Sequence, residues 1–405
     1  MGPAACDAPE ARSTATLPMG PILEQMFDRL KLQVARRITG WTSPHVHDAS
    51  PRLDPACPQS LIAVVWGRCR RRRRGWGWSS GWTCRVVRSG RPMPCCRGHN
   101  AGMRVAVDDV SVYFDVEGCG LAAQGDAMLP RPTLLLLHGG PGADHSLFKP
   151  EFSVLTDVAQ VIYLDQRGSG RSDHSKPEKW TWTRWADDIA AFCAALDIRA
   201  PVLVGSSSGG RVAIECAARH PDLVAGLVLE STLGVPTSLD ESLEVFERRG
   251  GQVARDAAAR YLGGDTSPSA AKAWADHGLP LYAGASDGDM ASRRARALIN
   301  DEVQAHFRAG GCGPAEVTAA LATAVTCPTL VLAGEDDPVS PAVAARRLPA
   351  ILTSTATKVE VLAGVGHGVF RQAPQKSFDA LRTFLRGIPA ARHDGDGHDP
   401  EATLV

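Results

Sequence analysis

A serine surrounded by small residues is the first feature of this chain that could do chemistry. Residues 205–209 read Gly-Ser-Ser-Ser-Gly, and they lie between the apolar run 201–204 and the helix-like run 211–218. A serine on such a strand-to-helix turn is held in a strained backbone conformation, and glycines two positions away let the chain close. Only Ser207 has a glycine on both sides at that spacing. The pattern predicts that Ser207 is a nucleophile; the alternative is a Ser/Gly-rich turn without chemistry.

A glycine-rich turn further upstream could stabilise the negative charge that forms when a serine attacks a carbonyl group. The apolar run 133–137 ends in His-Gly-Gly-Pro-Gly at residues 138–142. A turn of this kind after a buried strand can aim a backbone N–H at a developing oxyanion. The N–H of Ser208 opens a helix, whose dipole favours negative charge. Gly140 and Ser208 are therefore the predicted oxyanion donors.

An acid and a histidine follow two later apolar runs. Residues 329–334 are followed at once by Glu-Asp-Asp at 335–337, which supplies a carboxylate. Residues 359–362 lead into a loop on which His367 has small neighbours on both sides. A histidine that a carboxylate orients is the base that activates a serine hydroxyl. The sequence thus provides a nucleophile, an acid and a base, in that order along the chain.

These motifs resemble the proline iminopeptidase branch of the α/β-hydrolase superfamily. The order serine, acid, histidine is that of α/β hydrolases, and it differs from the order in the chymotrypsin and subtilisin scaffolds. The resemblance covers about residues 103–390. The motifs that carry it are His-Gly-Gly-Pro-Gly at 138–142, Asp-Gln-Arg-Gly-Ser-Gly-Arg-Ser at 165–172, the turn at 205–209, Gly-Glu-Asp-Asp-Pro at 334–338 and Gly-His-Gly-Val-Phe at 366–370.

The resemblance implies a role for each matching residue. The family places its acid three residues after the strand-ending glycine, here Gly334, which favours Asp337 and leaves Asp336 as the alternative. One position departs from the pattern, because the family often has an aromatic residue after the nucleophile and this chain has Ser208. By motif position the implied roles are nucleophile Ser207, base His367, acid Asp337 and oxyanion donors Gly140 and Ser208.

The resemblance also implies a function. It points to removal of an N-terminal residue, often proline, from short peptides by way of an acyl-enzyme, with no metal or organic cofactor. Two alternatives remain open. One is a carboxylesterase or related small-molecule hydrolase, and the other is a ligand-binding protein on a hydrolase fold that does not turn over.

An aminopeptidase must recognise a free N-terminus, which is largely protonated near neutral pH. Burying that ammonium group without a partner costs several kcal/mol, so a carboxylate is expected to meet it. Aminopeptidases of this family use acids of their cap. The candidate acids here are Glu241, Glu244, Glu247, Asp276, Asp287, Asp289, Asp301 and Glu302, together with Glu230 at a strand end.

The elements that must position these groups follow an alternating pattern. A hairpin at 104–107 and 110–116 opens the region, followed by strands at 133–137, 160–164, 201–205, 225–230, 328–333 and 358–362, with helices such as 182–196 and 378–385 between them. Apolar strands that alternate with helices predict a mostly parallel α/β sheet buried on both faces.

The predicted core is interrupted by one long helical insertion. The core comprises residues 103–232 and 326–390, and the interval 233–325 has helical spacing where family members insert a cap over the active site. Within this cap segment, the candidates for pocket lining are Trp274, Leu279, Leu281 and Tyr282. The cysteines at 119, 193, 216, 312 and 327 show no paired spacing, which predicts reduced and mostly buried side chains.

Residues 1–102 form a different kind of sequence. They contain 15 Arg and 1 Lys against 6 acidic residues, although the whole chain has a formal charge of +0. Apart from an amphipathic helix at 22–38, no sustained pattern is present. The run of arginines at 70–74 would suit a nucleic-acid or membrane-surface arm. We favour a leader that is disordered or not part of the native protein, with Met103 as the true start.

The remaining expectations concern partners and location. We expect a small-molecule or short-peptide substrate, with no nucleic-acid or membrane partner, and a cytoplasmic protein. The apolar run 61–66 is too short to cross a bilayer and too far along the chain for a secretory signal. Residues 391–405 are a polar tail, in which the metal-friendly side chains of 393–399 lack the terminal glutamate of a calcium loop. The sequence carries no signal for an oligomeric state.

Overall fold

The computed structural model describes residues 103–232, 234–235, 237–284 and 290–388. The chain divides into two units, Met1–Arg91 and Pro92–Val405, and the described residues all belong to the second. The predictions for residues 1–102, including the helix at 22–38, and for the tail at 391–405 lie outside the described residues.

A mostly parallel sheet forms the centre of the described region. The strands of the described region are β1 Met103–Val107, β2 Val110–Glu117, β3 Leu121–Gln124, β4 Ala127–Pro130, β5 Thr133–Leu137, β6 Gln160–Leu164, β7 Val202–Ser206, β8 Gly226–Glu230, β9 Thr329–Gly334 and β10 Thr357–Leu362. Eight of them form this sheet in the order β1-β2-β6-β5-β7-β8-β9-β10, and only β2 runs antiparallel to the other strands of the sheet. A separate hairpin, β3-β4, was not predicted from the sequence.

Helices cover both faces of this sheet and fill the interval between β8 and β9. Short 3₁₀ helices at His145–Phe148, Glu151–Leu155, Pro177–Lys179 and Leu279–Tyr282 and a π turn at Trp274–Gly278 accompany the α-helices. The α-helices are α1 Trp182–Ala195, α2 Ser208–Arg219, α3 Leu239–Leu262, α4 Pro268–Ala273, α5 Met290–Arg296, α6 Asp301–Arg308, α7 Ala319–Thr323, α8 Ala342–Ala345, α9 Leu348–Ile351, α10 Val369–Gln372 and α11 Pro374–Arg386.

Burial on both faces explains why the central strands are continuous apolar runs. In β5, the side chains of Leu135 and Leu137 pack into one hydrophobic cluster, and those of Leu134 and Leu136 pack into a second. Side chains alternate across a strand, so the two clusters lie on opposite faces of the sheet. The strands predicted at positions 133 to 362 each agree with the structure to within one residue at either end.

The described part of the cap segment is helical and has its own small core. Helix α3 begins with a capping box between Ser238 and Glu241, and it bends at Gly251, where φ is 70°. Phe246 and Trp274 pack against each other with their ring centroids 5.5 Å apart. The capping box and an apolar cluster of its own stabilise the described part of this segment, which contributes no strand to the sheet.

Two further sequence expectations can be compared with the structure. Cys193, Cys216, Cys312 and Cys327 are buried free thiols, whereas Cys119 is exposed. None of the helices in the described residues combines the length and the apolarity of a membrane span.

Candidate active site

Ser207 occupies a strained turn between β7 and α2. Its φ of 54° and ψ of −120° lie outside the regions that residues with a side chain ordinarily adopt. The turn closes because its flanking glycines allow unusually close backbone contacts. A Cβ on Gly205 would lie 2.5 Å from the carbonyl oxygen of Gly209, and a Cβ on Gly209 would overlap the carbonyl of Leu137. The elbow predicted from the sequence is therefore present, with Ser207 at its apex.

The glycine turn after β5 lies directly against this serine. A Cβ on Gly139 would lie 2.9 Å from Cβ of Ser207, so only glycine fits there without displacement. Gly140 has a φ of 128°, which a side chain would disfavour. Ser208 is the first residue of α2, so its N–H has no partner within the helix. The structure thus places Gly139 against Ser207, and the next residue of the turn, Gly140, lines the same cavity as Ser207.

His138 fixes the start of the glycine turn. Its Nδ1 lies 2.9 Å from the carbonyl oxygen of Gly139, and its Nε2 lies 3.1 Å from the backbone nitrogen of Gln166, which donates to it. This pattern requires a neutral ring with its proton on Nδ1. Burial lowers the pKa of His138 against the opposing charge of Asp165, which keeps the ring neutral. The His138 ring therefore links the glycine turn to the backbone of Gln166 and helps to fix the position of the turn.

Asp337 and His367 meet at the ends of neighbouring strands. Oδ2 of Asp337 lies 2.9 Å from Nδ1 of His367, while Oδ1 accepts the N–H groups of Val339 and Ser340 at 2.8 and 2.9 Å. The carboxylate is completely buried. The alternative acid, Asp336, turns away and pairs with Arg248 at 3.2 Å. Of the two candidate acids, Asp337 is the one placed to orient the histidine.

Ser207 and His367 both line one large cavity of about 920 Å³, which also reaches Gly139 and Gly140. Oγ of Ser207 and the imidazole form no hydrogen bond here, as is common before a substrate is bound. The predicted nucleophile, the predicted base and the glycine turn therefore face a single space that is large enough for a small ligand.

This arrangement on a mostly parallel sheet agrees with the comparisons with known proteins. Residues 132–374 match the family described as alpha/beta hydrolase fold. The chain belongs to the α/β-hydrolase family. The fold class predicted from the sequence is thereby confirmed, and the protein is a hydrolase of that fold.

Individual relatives of this α/β hydrolase differ in activity. A 2-(acetamidomethylene)succinate hydrolase of Mesorhizobium japonicum is 30% identical over 266 residues, which are 63% of this chain and 90% of the relative. A proline iminopeptidase of Lactobacillus helveticus is 39% identical over 113 residues, covering 25% of this chain and 36% of that protein. The esterase RhEst1 from Rhodococcus sp. ECU1013 has a similar structure, with a TM-score of 0.53 and 25% identity over 71% of this chain and 98% of the esterase.

The environment of the histidine in this hydrolase favours its protonated form. Burial by itself would lower the pKa of His367, but the charge and hydrogen bond of Asp337, with a smaller contribution from the charge of Glu230, raise it above its ordinary value. A base with a raised pKa accepts a proton more readily once it is neutral.

The backbone of the cap segment contacts His367, and the sequence alone does not predict this contact. The carbonyl oxygen of Tyr282 accepts the N–H of His367 at 2.8 Å, and the Tyr282 ring packs edge-on against the imidazole at 5.3 Å. Oε1 of Gln372 accepts the N–H groups of Gly284 and Gly366 at 2.7 and 2.6 Å. The segment that contributes Tyr282 to the wall of the cavity therefore also helps to hold His367 in place.

Arg249 of α3 ties the same stretch of the cap to the acid turn. Its guanidinium donates to the carbonyl oxygens of Asp336 at 2.8 Å and of Ala283 at 2.5 Å, and also to that of Leu281. Desolvation lowers the pKa of Arg249, which has carbonyl rather than carboxylate partners. Only tertiary contacts show this role, because an arginine in a helical run usually faces solvent.

Three of the four predicted pocket residues of the cap line the cavity: Trp274, Leu279 and Tyr282 do, and Leu281 does not.

The candidate acids for binding a substrate ammonium group differ in whether they line the cavity. Glu241, Glu247 and Asp276 form ion pairs with Arg347, Arg255 and Lys272, and Glu244 and Glu302 are exposed. Asp287 and Asp289 lie outside the described residues. Asp301 and Glu230 line the cavity, as do two acids that were not predicted, Glu151 and Glu316.

One group of side chains that does not line the cavity has the composition of a metal site. The ligand atoms of Asp144, His145 and Asp165 lie within 4.8 Å of one another, and all three residues are buried. These atoms already have protein partners, since Arg171 pairs with Asp144 at 2.8 Å and Nδ1 of His145 lies 2.7 Å from Asp165. The group therefore braces the loop at residues 165–172 instead of offering open coordination positions.

Proposed function

We propose that this α/β hydrolase is a serine hydrolase that works through an acyl-enzyme and removes an N-terminal residue from short peptides or aminoacyl amides. The observation that carries the serine chemistry is the convergence of Ser207, His367 and the glycine turn on one cavity. The aminopeptidase activity is supported by the motif resemblance and by the 39% identity to a proline iminopeptidase over part of the chain.

The first half of the reaction forms the acyl-enzyme. Nε2 of His367 removes the proton from Oγ of Ser207 as Oγ attacks the substrate carbonyl carbon. The oxyanion accepts hydrogen bonds from the N–H groups of Gly140 and Ser208. The imidazolium, whose positive charge Asp337 stabilises from Nδ1, then gives its proton to the leaving amine as the C–N bond breaks.

The second half returns the enzyme to its starting state. Water takes the place of the leaving amine, and His367 removes one of its protons as it attacks the ester carbon. The second tetrahedral intermediate uses the same oxyanion donors. Collapse of this intermediate breaks the bond to Oγ, which regains its proton from His367, and the free amino acid leaves.

An esterase is the second candidate, and the solved esterase structure supports it. Esterases and aminopeptidases can use the same triad. The two functions therefore differ in which substrate groups next to the scissile carbonyl the cavity binds. The wall of this cavity carries both acidic and basic side chains, including Glu230 and Arg294. A charged wall favours substrates with a charged group over simple alkyl esters.

The test combines labelling with a substrate panel. A fluorophosphonate probe should label the wild-type protein and should fail to label Ser207→Ala. Alanine and proline p-nitroanilides are then compared with their N-acetyl forms and with p-nitrophenyl acetate. We expect the free-amine anilides to be cleaved and acetylation to lower kcat/KM by about 10²-fold or more, the effect of losing a buried charge pair. If only the ester is cleaved, the esterase replaces the aminopeptidase as the proposed function.

A further inference from the structure

Arg371 places a positive charge in the wall of the cavity beside the proposed base. It belongs to α10, and its guanidinium donates to the carbonyl oxygen of His367 at 2.5 Å. Gly368 leaves room for this contact, because a Cβ at that position would overlap the guanidinium. His367, Gly368 and Arg371 all line the cavity. The part of the wall next to the imidazole therefore carries this charge.

Among the described residues, no carboxylate forms an ion pair with Arg371. Its bond to a carbonyl oxygen uses one of the five N–H groups of the guanidinium. The other arginines of the cavity wall differ from it. Arg293 pairs with Glu151, and Arg294 and Arg308 are exposed. Arg371 is half-buried and keeps N–H groups that a ligand carboxylate can bind through two parallel hydrogen bonds.

The charge of Arg371 has a cost in the proposed mechanism. The reaction converts the imidazole of His367 into an imidazolium, and a second positive charge nearby opposes that step. Burial lowers the pKa of His367, and the charge of Arg371 lowers it further, whereas Asp337 raises it enough to place it above its ordinary value. A ligand carboxylate bound to Arg371 would offset its charge and make the imidazolium easier to form.

Peptide geometry determines where such a carboxylate would lie. In a dipeptide, one Cα joins the leaving nitrogen to the carboxyl carbon of the departing amino acid, which places these two atoms about 2.5 Å apart. The leaving nitrogen takes its proton from Nε2 of His367 across a hydrogen bond of about 3 Å. The carboxylate therefore lies within about 6 Å of the imidazole. The arginine of the wall that is bonded to His367 itself is Arg371.

We infer that the Arg371 guanidinium binds the carboxylate of the departing amino acid, so that dipeptides are preferred over longer peptides and over peptide amides. This inference rests on the proposed aminopeptidase function and names the substrate class within it. In a longer peptide or an amide, an uncharged amide group takes the place of the carboxylate. The charge of Arg371 then stays beside the imidazolium without a counterion.

A competing explanation is that Arg371 only holds the loop of the base through the carbonyl oxygen of His367. Loss of that contact would displace the imidazole and slow every substrate by a similar factor. Binding of a carboxylate predicts a loss confined to substrates that carry the carboxylate. The two explanations therefore differ in the ratio of the rates for two substrates.

The experiment measures the ratio of kcat/KM for the dipeptide Ala-Ala to kcat/KM for its amide, with substrate loss followed by chromatography. The two peptides share the scissile bond and the free N-terminus and differ only in the terminal carboxylate. Wild type should prefer the dipeptide. Arg371→Gln removes the charge and should lower the ratio by about 10-fold or more, the effect of losing hydrogen bonds between charged groups. Arg371→Lys keeps the charge without the planar fork and should retain part of the preference.

The matched control is Arg386→Gln. Arg386 is an exposed arginine of α11 whose guanidinium donates to Oγ1 of Thr383 at 3.0 Å, and it lies outside the cavity wall. This variant should keep the wild-type ratio. Thermal unfolding of the three variants checks that the fold is intact, and the wild-type ratio tests the inference without any variant.

The outcomes separate the inference from the proposed function. A wild-type preference for the dipeptide that falls in Arg371→Gln supports the inference. A wild type that does not distinguish the two peptides overturns it, and so does an equal loss on both peptides in Arg371→Gln, while the aminopeptidase proposal stands in both cases. If wild type cleaves p-nitrophenyl acetate and neither peptide, the proposed function fails and the inference fails with it.

Discussion

The backbone N–H of His367 donates to the carbonyl oxygen of Tyr282 at 2.8 Å, so the proposed base is hydrogen-bonded to a segment that lines the same cavity. Asp337 holds the other side of the same histidine through Nδ1. Two residues that are 55 positions apart in the sequence, Tyr282 and Asp337, thus hold His367, and the alignment of His367 depends on both contacts.

The first prediction concerns the nucleophile. Ser207→Ala removes the only atom that can form the acyl-enzyme, so we expect kcat/KM to fall by about 10⁴-fold or more. Ser206→Ala is the matched control, because its hydroxyl forms no hydrogen bond within the described residues, and it should keep most of the activity. Comparable activity in the two variants would assign the chemistry to another residue.

The second prediction concerns pH. Only neutral His367 can act as the base, so kcat/KM should rise as pH increases through the pKa of this group. Asp337 raises that pKa, and the midpoint of the acidic limb is therefore expected above about 6.5, the ordinary value for histidine. The measurement is kcat/KM from pH 5 to pH 9 on p-nitrophenyl acetate.

Asp337→Asn tests the cause of that shift. It removes the charge that favours the imidazolium, so the limb should move to lower pH and kcat should fall by about 10⁴-fold, because the wrong ring tautomer is stabilised. Asp336→Asn loses the contact with Arg248 and should not change the midpoint pH of the acidic limb. A limb that responds to Asp336 and not to Asp337 would contradict the assignment of the acid.

The third prediction concerns the contact between the glycine turn and the elbow. Gly139→Ala places a methyl group 2.9 Å from Cβ of Ser207 and 3.2 Å from the carbonyl oxygen of Ser206. The serine and the turn must then separate, and a displacement of this size in an active site lowers kcat by about 10²-fold. Gly120→Ala is the control, since its new Cβ would meet its nearest neighbour at 3.7 Å. Equal kinetics for the two variants would show that the turn does not need this close approach.

The fourth prediction concerns Arg249. Arg249→Ala removes the hydrogen bonds to Asp336 and Ala283, and bonds from a charged donor contribute about 1.5–3 kcal/mol. We expect a less stable cap segment, seen as faster proteolysis near residues 279–284, together with a roughly tenfold fall in kcat/KM. Arg248→Ala removes an exposed guanidinium from the same helix and should have little effect on either measurement. If the Arg249 variant has the proteolysis rate and kinetics of wild type, the contacts of Arg249 with the cap segment do not help to position His367.

Much of the fold could be predicted because the sheet leaves a strong pattern in the sequence. The strands β5 to β10 are apolar runs next to helical runs, and each was located to within one residue. The hairpin β3-β4 was missed because it is largely exposed, with Met128 at 59% exposure, and so has no alternating apolar face.

The residues of the candidate site that directly follow strands could be predicted from the sequence. The contacts of the cap side chains could not. Ser207, Asp337 and His367 lie in short loops with their own glycine patterns, and the structure brings these loops together. The role of a charged side chain in the cap depends on which partner folds against it, as with Glu241 and its partner Arg347. The burial of His145 against Asp165, which lies 20 positions later in the chain, likewise depends on a tertiary contact that the sequence pattern does not show.

The closeness of the elbow to its neighbours has a consequence for the evolution of this protein. At Gly209 and Gly210, any side chain would overlap the Leu137 carbonyl or the Thr232 side chain. In a mutational scan that measures abundance and turnover separately, we expect most substitutions at cavity positions to lower only one of these two quantities. At Gly209 and Gly210 we expect substitutions to lower both abundance and turnover. Substitutions in the cap segment can therefore change the substrate, while the residues of the elbow stay the same.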